Sequence, residues 1–445
     1  MYPFSNEAVY YTVNNLFEFA GITLKEDFKM TFNRDAYYVT VTAWENKPVI
    51  LKIMQQNDIN QLLKGQLPLQ FIPSFDLKES IPFFITNNEK DFATISDEEL
   101  VIHADIVTIP FIMLSRYEET LIVERDQHNR FEYKSSLASR YGFIDIPIVD
   151  EYAMLFRVWL SKYVPGINVY ERIGKIVPTH DIDLIRRFGN LFRNIQTILG
   201  GDLIARKSLS IALNSLKQCV RTVIDSKKDP LIVAILKLIG ISKVSGLCSN
   251  FYFKGLKKGQ NNCTYDVFIP EVKYCMEKIK EEGMVVGIHG GLDSYDNEFI
   301  YKQEKKNIES VYGSVVTTNR QHFLKFDINK TLHVWQDCNV QIDSTLGYAE
   351  REGFRCGTCH EYHLFDLKND CISTVKERPL IVMDVTLFEY RGLNIEAALS
   401  NMEKLYERCK AVGGEFVILW HNENLFRDYI NRFEQVYCRF LEKYT

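Results

Sequence analysis

The chain has 445 residues, 46% of them hydrophobic and 25% charged, with a formal net charge of -5 and a pI near 6.1. At roughly 150 residues per domain this allows two or three domains with cores of their own, and it excludes a disulfide-stapled miniprotein, a disordered chain, collagen and coiled coil. The acidic balance gives no general attraction for phosphate backbones, so nucleic acid is not an expected partner.

The first residues, Met1 to Glu7, lack the basic cluster and apolar run of a signal peptide, and no apolar stretch reaches the roughly 18 to 20 residues that span a bilayer. All ten cysteines lie at or after Cys219 without the close, even spacing of a disulfide framework. A cytoplasmic protein with reduced cysteines is expected. Up to about residue 165, strand-like runs (Tyr37 to Thr42, Pro48 to Ile53) alternate with helix-like ones such as Asp105 to Glu119, which predicts a small α/β domain over residues 1–165. His103 and His128 stand apart from other ligand types and are read as structural. Pro165-Gly166 punctuates the chain and marks the boundary to a second domain, residues 166–445.

In that second part, apolar runs without alternation end in polar residues. Lys175 to Pro178 leads into Thr179-His180-Asp181-Ile182-Asp183, Met284 to Ile288 into His289, Leu380 to Met383 into Asp384, and Phe416 to Trp420 into His421. Such runs predict parallel strands buried on both faces, and polar residues at their C-terminal ends occupy the position where α/β enzymes carry their sites. Asp181 and Asp183 share one strand face, so one carboxylate can bind a metal while the other accepts a proton. With His289, His322 and His421 they form the donor set of a catalytic divalent metal, most simply zinc.

Between the first two of these strands, residues 184–247 carry eleven Lys or Arg against three Asp, a local charge of +8. Apolar residues including Leu203, Ile204, Leu209, Leu213, Leu216 and Val220 recur among them near helical spacing. The segment predicts a basic helical insertion, either a solvated cover or a peripheral contact with the inner face of a membrane. Its apolar run Leu231 to Ile239 either dips into headgroups or packs on the second domain. Further on, Cys356-Gly357-Thr358-Cys359-His360 fits the haem-attachment spacing. Attachment requires export, and only His363 and Cys371 are near enough to complete a zinc knuckle, so the segment is read as a reduced loop that shapes the pocket.

Thr179 to Asp183, Ser249 to Phe253, Gly287-Ile288-His289-Gly290-Gly291-Leu292-Asp293, Arg320-Gln321-His322, Asp384 and Ile418 to Asn422 come in the order of the motifs of the polysaccharide deacetylases (carbohydrate esterase family 4, the NodB homology domain), which this part of the chain resembles. The resemblance implies a distorted (β/α) barrel with fewer than eight strands. It also implies metal-dependent removal of an N-acetyl group from an amino sugar, as in a surface-polysaccharide precursor. Carried over, Asp183 and His289 hold the metal with His322, or with Asp293 as the alternative third ligand. Asp181 is the base, Arg320 lies beside Asp181 and keeps it ionised, and His421, held by Asp384, is the acid. Arg355 offers a second arginine for the part given to Arg320. Leu114 to Glu119, Asn129-Arg130-Phe131 and Pro147 to Asp150 resemble an uncharacterised domain that precedes such barrels in bacterial polysaccharide loci. A degenerate, non-catalytic glycan-binding or scaffold protein is the rival reading.

Overall fold

A computed structural model describes the chain except for residues 1–3, 24–28, 33–35, 45–46, 55–58, 67–69, 76–79, 84–91, 98, 189–193, 195–197, 199–208, 258–263 and 427–430. It is a mixed α/β structure. Before residue 165, strands β1 (Lys29–Phe32), β2 (Ala36–Trp44), β3 (Lys47–Met54), β6 (Ala93–Ile95) and β7 (Glu99–Ile102) form one sheet in the order β1-β2-β3-β7-β6. A separate ribbon pairs β4 (Gln70–Pro73) with β5 (Ser80–Phe83). The helices Asn6–Phe19, Thr108–Ser115 and Ile148–Tyr163 belong to the same part. The apolar start of the Asp105 to Glu119 run is the wholly buried helix Thr108–Ser115, which ends at Arg116 in the left-handed conformation (φ 56°).

The second part is built on β8 (Lys175–Ile182), β9 (Asn250–Phe253), β10 (Val285–Gly290), β11 (Thr318–Gln321), β12 (Ile342–Asp343), β13 (Tyr362–Asp366), β14 (Cys371–Glu377), β15 (Val382–Met383) and β16 (Glu415–Leu419). Their order is β13-β14-β12-β11-β10-β9-β8-β16-β15, and every pairing except the β13–β14 hairpin is parallel. The sheet does not close strand to strand. Instead, the gap between β12 and β15 is bridged by irregular backbone, with Leu380 N–H donating to Leu346 O at 3.2 Å and Gly353 N–H to Ile381 O at 2.9 Å. Seven strands thus surround one interior, and β13–β14 extends from its rim. Helices connect them, as parallel strands require. Pro178 stands inside β8 with no N–H to give, and the Thr179 hydroxyl beside it donates to Ile418 O at 2.9 Å across to β16.

Side-chain alternation sorts the strands' residues. His180 is buried on the helix side, against Phe251 and Tyr437, while Thr179, Asp181 and Asp183 face the interior. Gly287 serves this interior. A Cβ there would lie 2.4 Å from the Tyr252 ring, so only glycine lets that ring lie across the barrel, where the Arg320 guanidinium stacks on it at 5.2 Å.

The two parts of the chain share a continuous apolar core. Arg116, fully buried, binds Glu118 (2.7 Å) and Glu119 (2.8 Å) and donates to Arg355 O, while Arg355 binds Glu119 at 2.8 Å and Gly347 O at 2.9 Å. Arg355 is therefore committed to this junction and does not stand in for Arg320. The Cys356 to His360 loop is the other half of the junction. Asp150 accepts from the Thr358 hydroxyl and from Cys359 N–H, and His360 stacks on Phe19 at 5.0 Å. Gly357 (φ 68°) passes so close that a Cβ would meet Val149, Ile148 and Met113 carbons at 3.0 to 3.2 Å. The loop seats the N-terminal part instead of shaping the pocket.

In the basic insertion, Arg193, Asp202, Leu203, Ile204, Arg206 and Lys207 lie outside the described residues. Its described residues include the helices Leu209–Ile224 and Pro230–Val244. Leu231, Ile232, Ile235, Leu238 and Ile239 are buried in the core, so this run packs on the barrel and is not free to enter headgroups. Asp229 caps the helix through Leu231 N–H and ties it to the end of β8 by accepting from Arg187 and Phe188 N–H.

Candidate active site

The interior residues at the C-terminal ends of β8 to β11 and β16 meet in one place. His289 Nε2, His322 Nδ1 and Asp183 Oδ1 form a triangle with sides of 3.0, 3.4 and 3.5 Å. Ligands about 2.1 Å from one tetrahedral centre stand about 3.4 Å apart, so the three donors match one face of a zinc-type tetrahedron. His289 is already in the ligating tautomer. Its Nδ1–H donates to Arg320 O at 2.8 Å, which leaves the Nε2 lone pair toward the centre. Asp181 Oδ2 is 3.7 Å from the same Nε2, and its Oδ1 is buried without a hydrogen-bond partner among the described residues.

On the other side of Asp183 stands His421, its Nε2 3.9 Å from Asp183 Oδ2. His421 Nδ1 binds Asp384 Oδ1 at 2.8 Å, and Asp384 Oδ2 accepts from His421 N–H (2.9 Å) and from Asn424 (2.8 Å). Burial alone would lower the pKa of His421, but the Asp384 carboxylate more than offsets it and raises it to about 10. His322 goes the other way: burial, reinforced by the neighbouring His289 and Lys254, brings it down to about 3 and keeps it neutral. Burial would raise Asp183, yet the Lys254 ammonium 2.6 Å from its Oδ1 holds it well below the ordinary carboxylate range.

Asp181, Asp183, His289, His322, His421 and Asp384 are thus brought together. Asp293 is exposed in the turn after β10, outside the donor triangle. Arg320 is buried in the interior, but its hydrogen bonds go to Thr179 (3.1 Å) and Ser344 (2.8 Å), one layer below Asp181, and not to Asp181 itself. The expected contact fails because the guanidinium sits over the Tyr252 ring and reaches across the strands to Thr179 and Ser344.

Sequence reasoning missed Lys254. Its ammonium is buried 2.6 Å from Asp183 Oδ1 and 3.1 Å from His322 Nε2. An ammonium only donates, so Nε2 accepts and the His322 ring proton sits on Nδ1, pointing at His289. The missed signal was the alternation Asn250, Tyr252, Lys254, which continues the inward face of β9 by one step. Glu423 and Arg130 were missed as well. Both line a cavity of about 190 Å³ with Asp181, Asp183, His322, His421, Phe323 and Tyr390. Burial raises Glu423 to about 7 despite His421 beside it. Arg130 comes from the N-terminal part, held by Asp126 at 2.7 Å and donating to Phe323 O at 3.1 Å. A larger cavity, about 610 Å³, opens at the opposite end of the barrel, at the starts of β8, β9 and β10, and contains none of these residues.

Residues 3–165 match the model of a family of unknown function (DUF7033). No curated protein matches the chain in sequence. Among solved structures, a putative polysaccharide deacetylase from Mycobacterium smegmatis is similar at 15% identity over 62% of this chain and 84% of its own, with a TM-score of 0.40. A family 4 carbohydrate esterase from Streptomyces lividans shares 10% identity over 61% and 88%, with a TM-score of 0.30. A CE4-family pseudoenzyme from Bacillus anthracis shares 10% over 64% and 67%, with a TM-score of 0.31. With all three scores below 0.5, the architecture rests on the strand order and the site on its own distances.

Proposed function

We propose that the chain is a divalent-metal-dependent deacetylase that hydrolyses the N-acetyl amide of an amino sugar in a surface-polysaccharide precursor. One observation carries this reading: a three-donor triangle and a buried His–Asp pair address the two oxygens of the same carboxylate, Asp183. Asp183, His289 and His322 would hold the metal, and two imidazoles with one carboxylate suit zinc. A divalent cation held there would polarise the amide carbonyl and acidify water. Asp181, its Oδ1 buried without a hydrogen-bond partner among the described residues, takes the proton of the attacking water. His421, kept protonated by Asp384, gives a proton to the leaving amine. Arg320 ties the layer beneath Asp181 to Ser344 and acts as a positioning residue.

We place the reaction in a reducing compartment, the cytoplasm, in keeping with nine free thiols among the described residues. No helix among the described residues is long and apolar enough to cross a membrane. The division at residue 165 into an accessory and a catalytic unit belongs to the same proposal. A second reading, a degenerate glycan-binding or scaffold protein, is favoured by Lys254, which engages two of the three donors. Metal analysis of the purified chain, with acetate release from N-acetylhexosamine oligomers as the readout, separates the two. Bound metal with acetate release supports the enzyme; neither, after reconstitution with zinc, supports the scaffold.

A further inference from the structure

The helix Leu209–Ile224 is packed with its large apolar side outward. Ala212, Ser215, Cys219 and Thr222 form the buried side, where Arg187, five residues beyond β8, donates to the Ser215 hydroxyl at 3.2 Å. Leu209, Leu213, Leu216, Val220 and Val223 recur at steps of four and three, so they fall in one stripe. They are 65, 57, 49, 51 and 76% exposed, and Ile224 next to them is 77% exposed. A helix that merely covered a barrel would turn these residues inward, as Pro230–Val244 does. A contiguous apolar stripe in water marks a contact surface.

Charge identifies what covers it. The helix contains no Asp or Glu, and Lys217 and Arg221 are exposed on it, with exposed Lys227 and Lys228 following just beyond its end. Asp225 is the single acid between residues 209 and 228. A second copy laid on the stripe would bring these cations against their equivalents, with no acidic residue on either helix to pair them. A layer of anionic headgroups neutralises the cations and accepts the leucines at the depth of the acyl boundary. We infer that Leu209–Ile224 is an interfacial docking helix, lying in the plane of an anionic membrane surface with its leucine and valine stripe toward the lipid. The inference stands on this helix alone and does not depend on the proposed activity.

The test is co-sedimentation of the full chain with vesicles of phosphatidylcholine containing about one-third phosphatidylglycerol, and with phosphatidylcholine alone, at low and high salt. We expect binding to the anionic vesicles at low salt, at least about tenfold stronger than to the neutral ones and weakened by salt. Leu213→Glu with Val220→Glu, both at exposed positions, should leave the circular dichroism and the melting temperature unchanged and reduce binding at least about tenfold. Lys217→Gln with Arg221→Gln should weaken binding at low salt and spare what remains at high salt. Absence of binding to anionic vesicles, or unchanged binding by the Leu213/Val220 variant, overturns the inference. So does a dimer in sedimentation velocity that the same variant dissociates, which would put a second copy on the stripe.

Discussion

Lys254 is the residue whose replacement says most about the site. In the present arrangement its ammonium uses the Asp183 oxygen and fixes the His322 proton on Nδ1, so two of three donors are occupied until it withdraws. Its ion pair with Asp183 and its charge-assisted hydrogen bond to His322 are each worth about 1.5 kcal/mol, so displacing both costs about 3 kcal/mol. That cost is subtracted from metal binding. Lys254→Met keeps the volume and removes the cost, and it also leaves Asp183 as a half-buried charge without its partner, which raises the free energy of the empty site further. Zinc affinity should therefore rise by about two orders of magnitude. Chelator competition at neutral pH measures it. The same variant should melt below the parent without metal and recover when zinc is added. Equal or weaker zinc binding by Lys254→Met would refute the argument, because it would mean that the lysine orders the ligands instead of competing for them.

Three further outcomes are expected. Asp181→Asn should keep zinc and lose turnover, whereas Asp183→Asn should lose both; equal metal loss, by elemental analysis of the two proteins, would merge their roles. Asp150 is pushed by burial to about 7, against the Thr358 and Cys359 donors, so the folded chain holds a proton there that the unfolded chain releases near pH 4. Its stabilising effect is complete below about pH 4 and disappears as pH rises toward 7, and urea unfolding at pH 5 and pH 8 should show the parent losing more stability than Asp150→Asn. Gly357→Ala puts a methyl group against Val149, Ile148 and Met113 at a positive φ and should destabilise the fold by about 1 to 3 kcal/mol, read from denaturant midpoints.

The ends of β8, β10 and β16 could be read from the sequence because each is an apolar run that stops at polar residues, and alternation then turns every second one, such as Asp181 but not His180, into the interior. Contacts made sideways across the barrel could not. Arg320 was expected next to Asp181 because the family resemblance places an arginine there, but its partner is set by the ring of Tyr252, which in turn depends on a glycine two strand positions before His289. Lys254 gave no signal of its own before Gly255, since a four-residue strand is too short to advertise its alternation. Arg130 carries no local signal, because it reaches the cavity through the docking of residues more than 150 positions away from His322. The run from Leu231 to Ile239 is equally apolar in a core and in a bilayer, and the burial of one face decided it.

The junction built on Arg116, Glu118, Glu119 and Arg355 constrains how such a chain can be inherited. Its charges are balanced only when both parts are present, since Glu119 answers an arginine from each side. A barrel that lost its first 165 residues would present Arg355 to a newly opened apolar face without its carboxylate, and the orphaned N-terminal part would bury Glu118 and Glu119 against one arginine. Neither fragment is an intermediate that selection could easily tolerate. Descendants of this chain should therefore keep or lose the two parts together, and recombination that exchanges one part for a relative's should succeed only when the arginine and the glutamate travel as a pair.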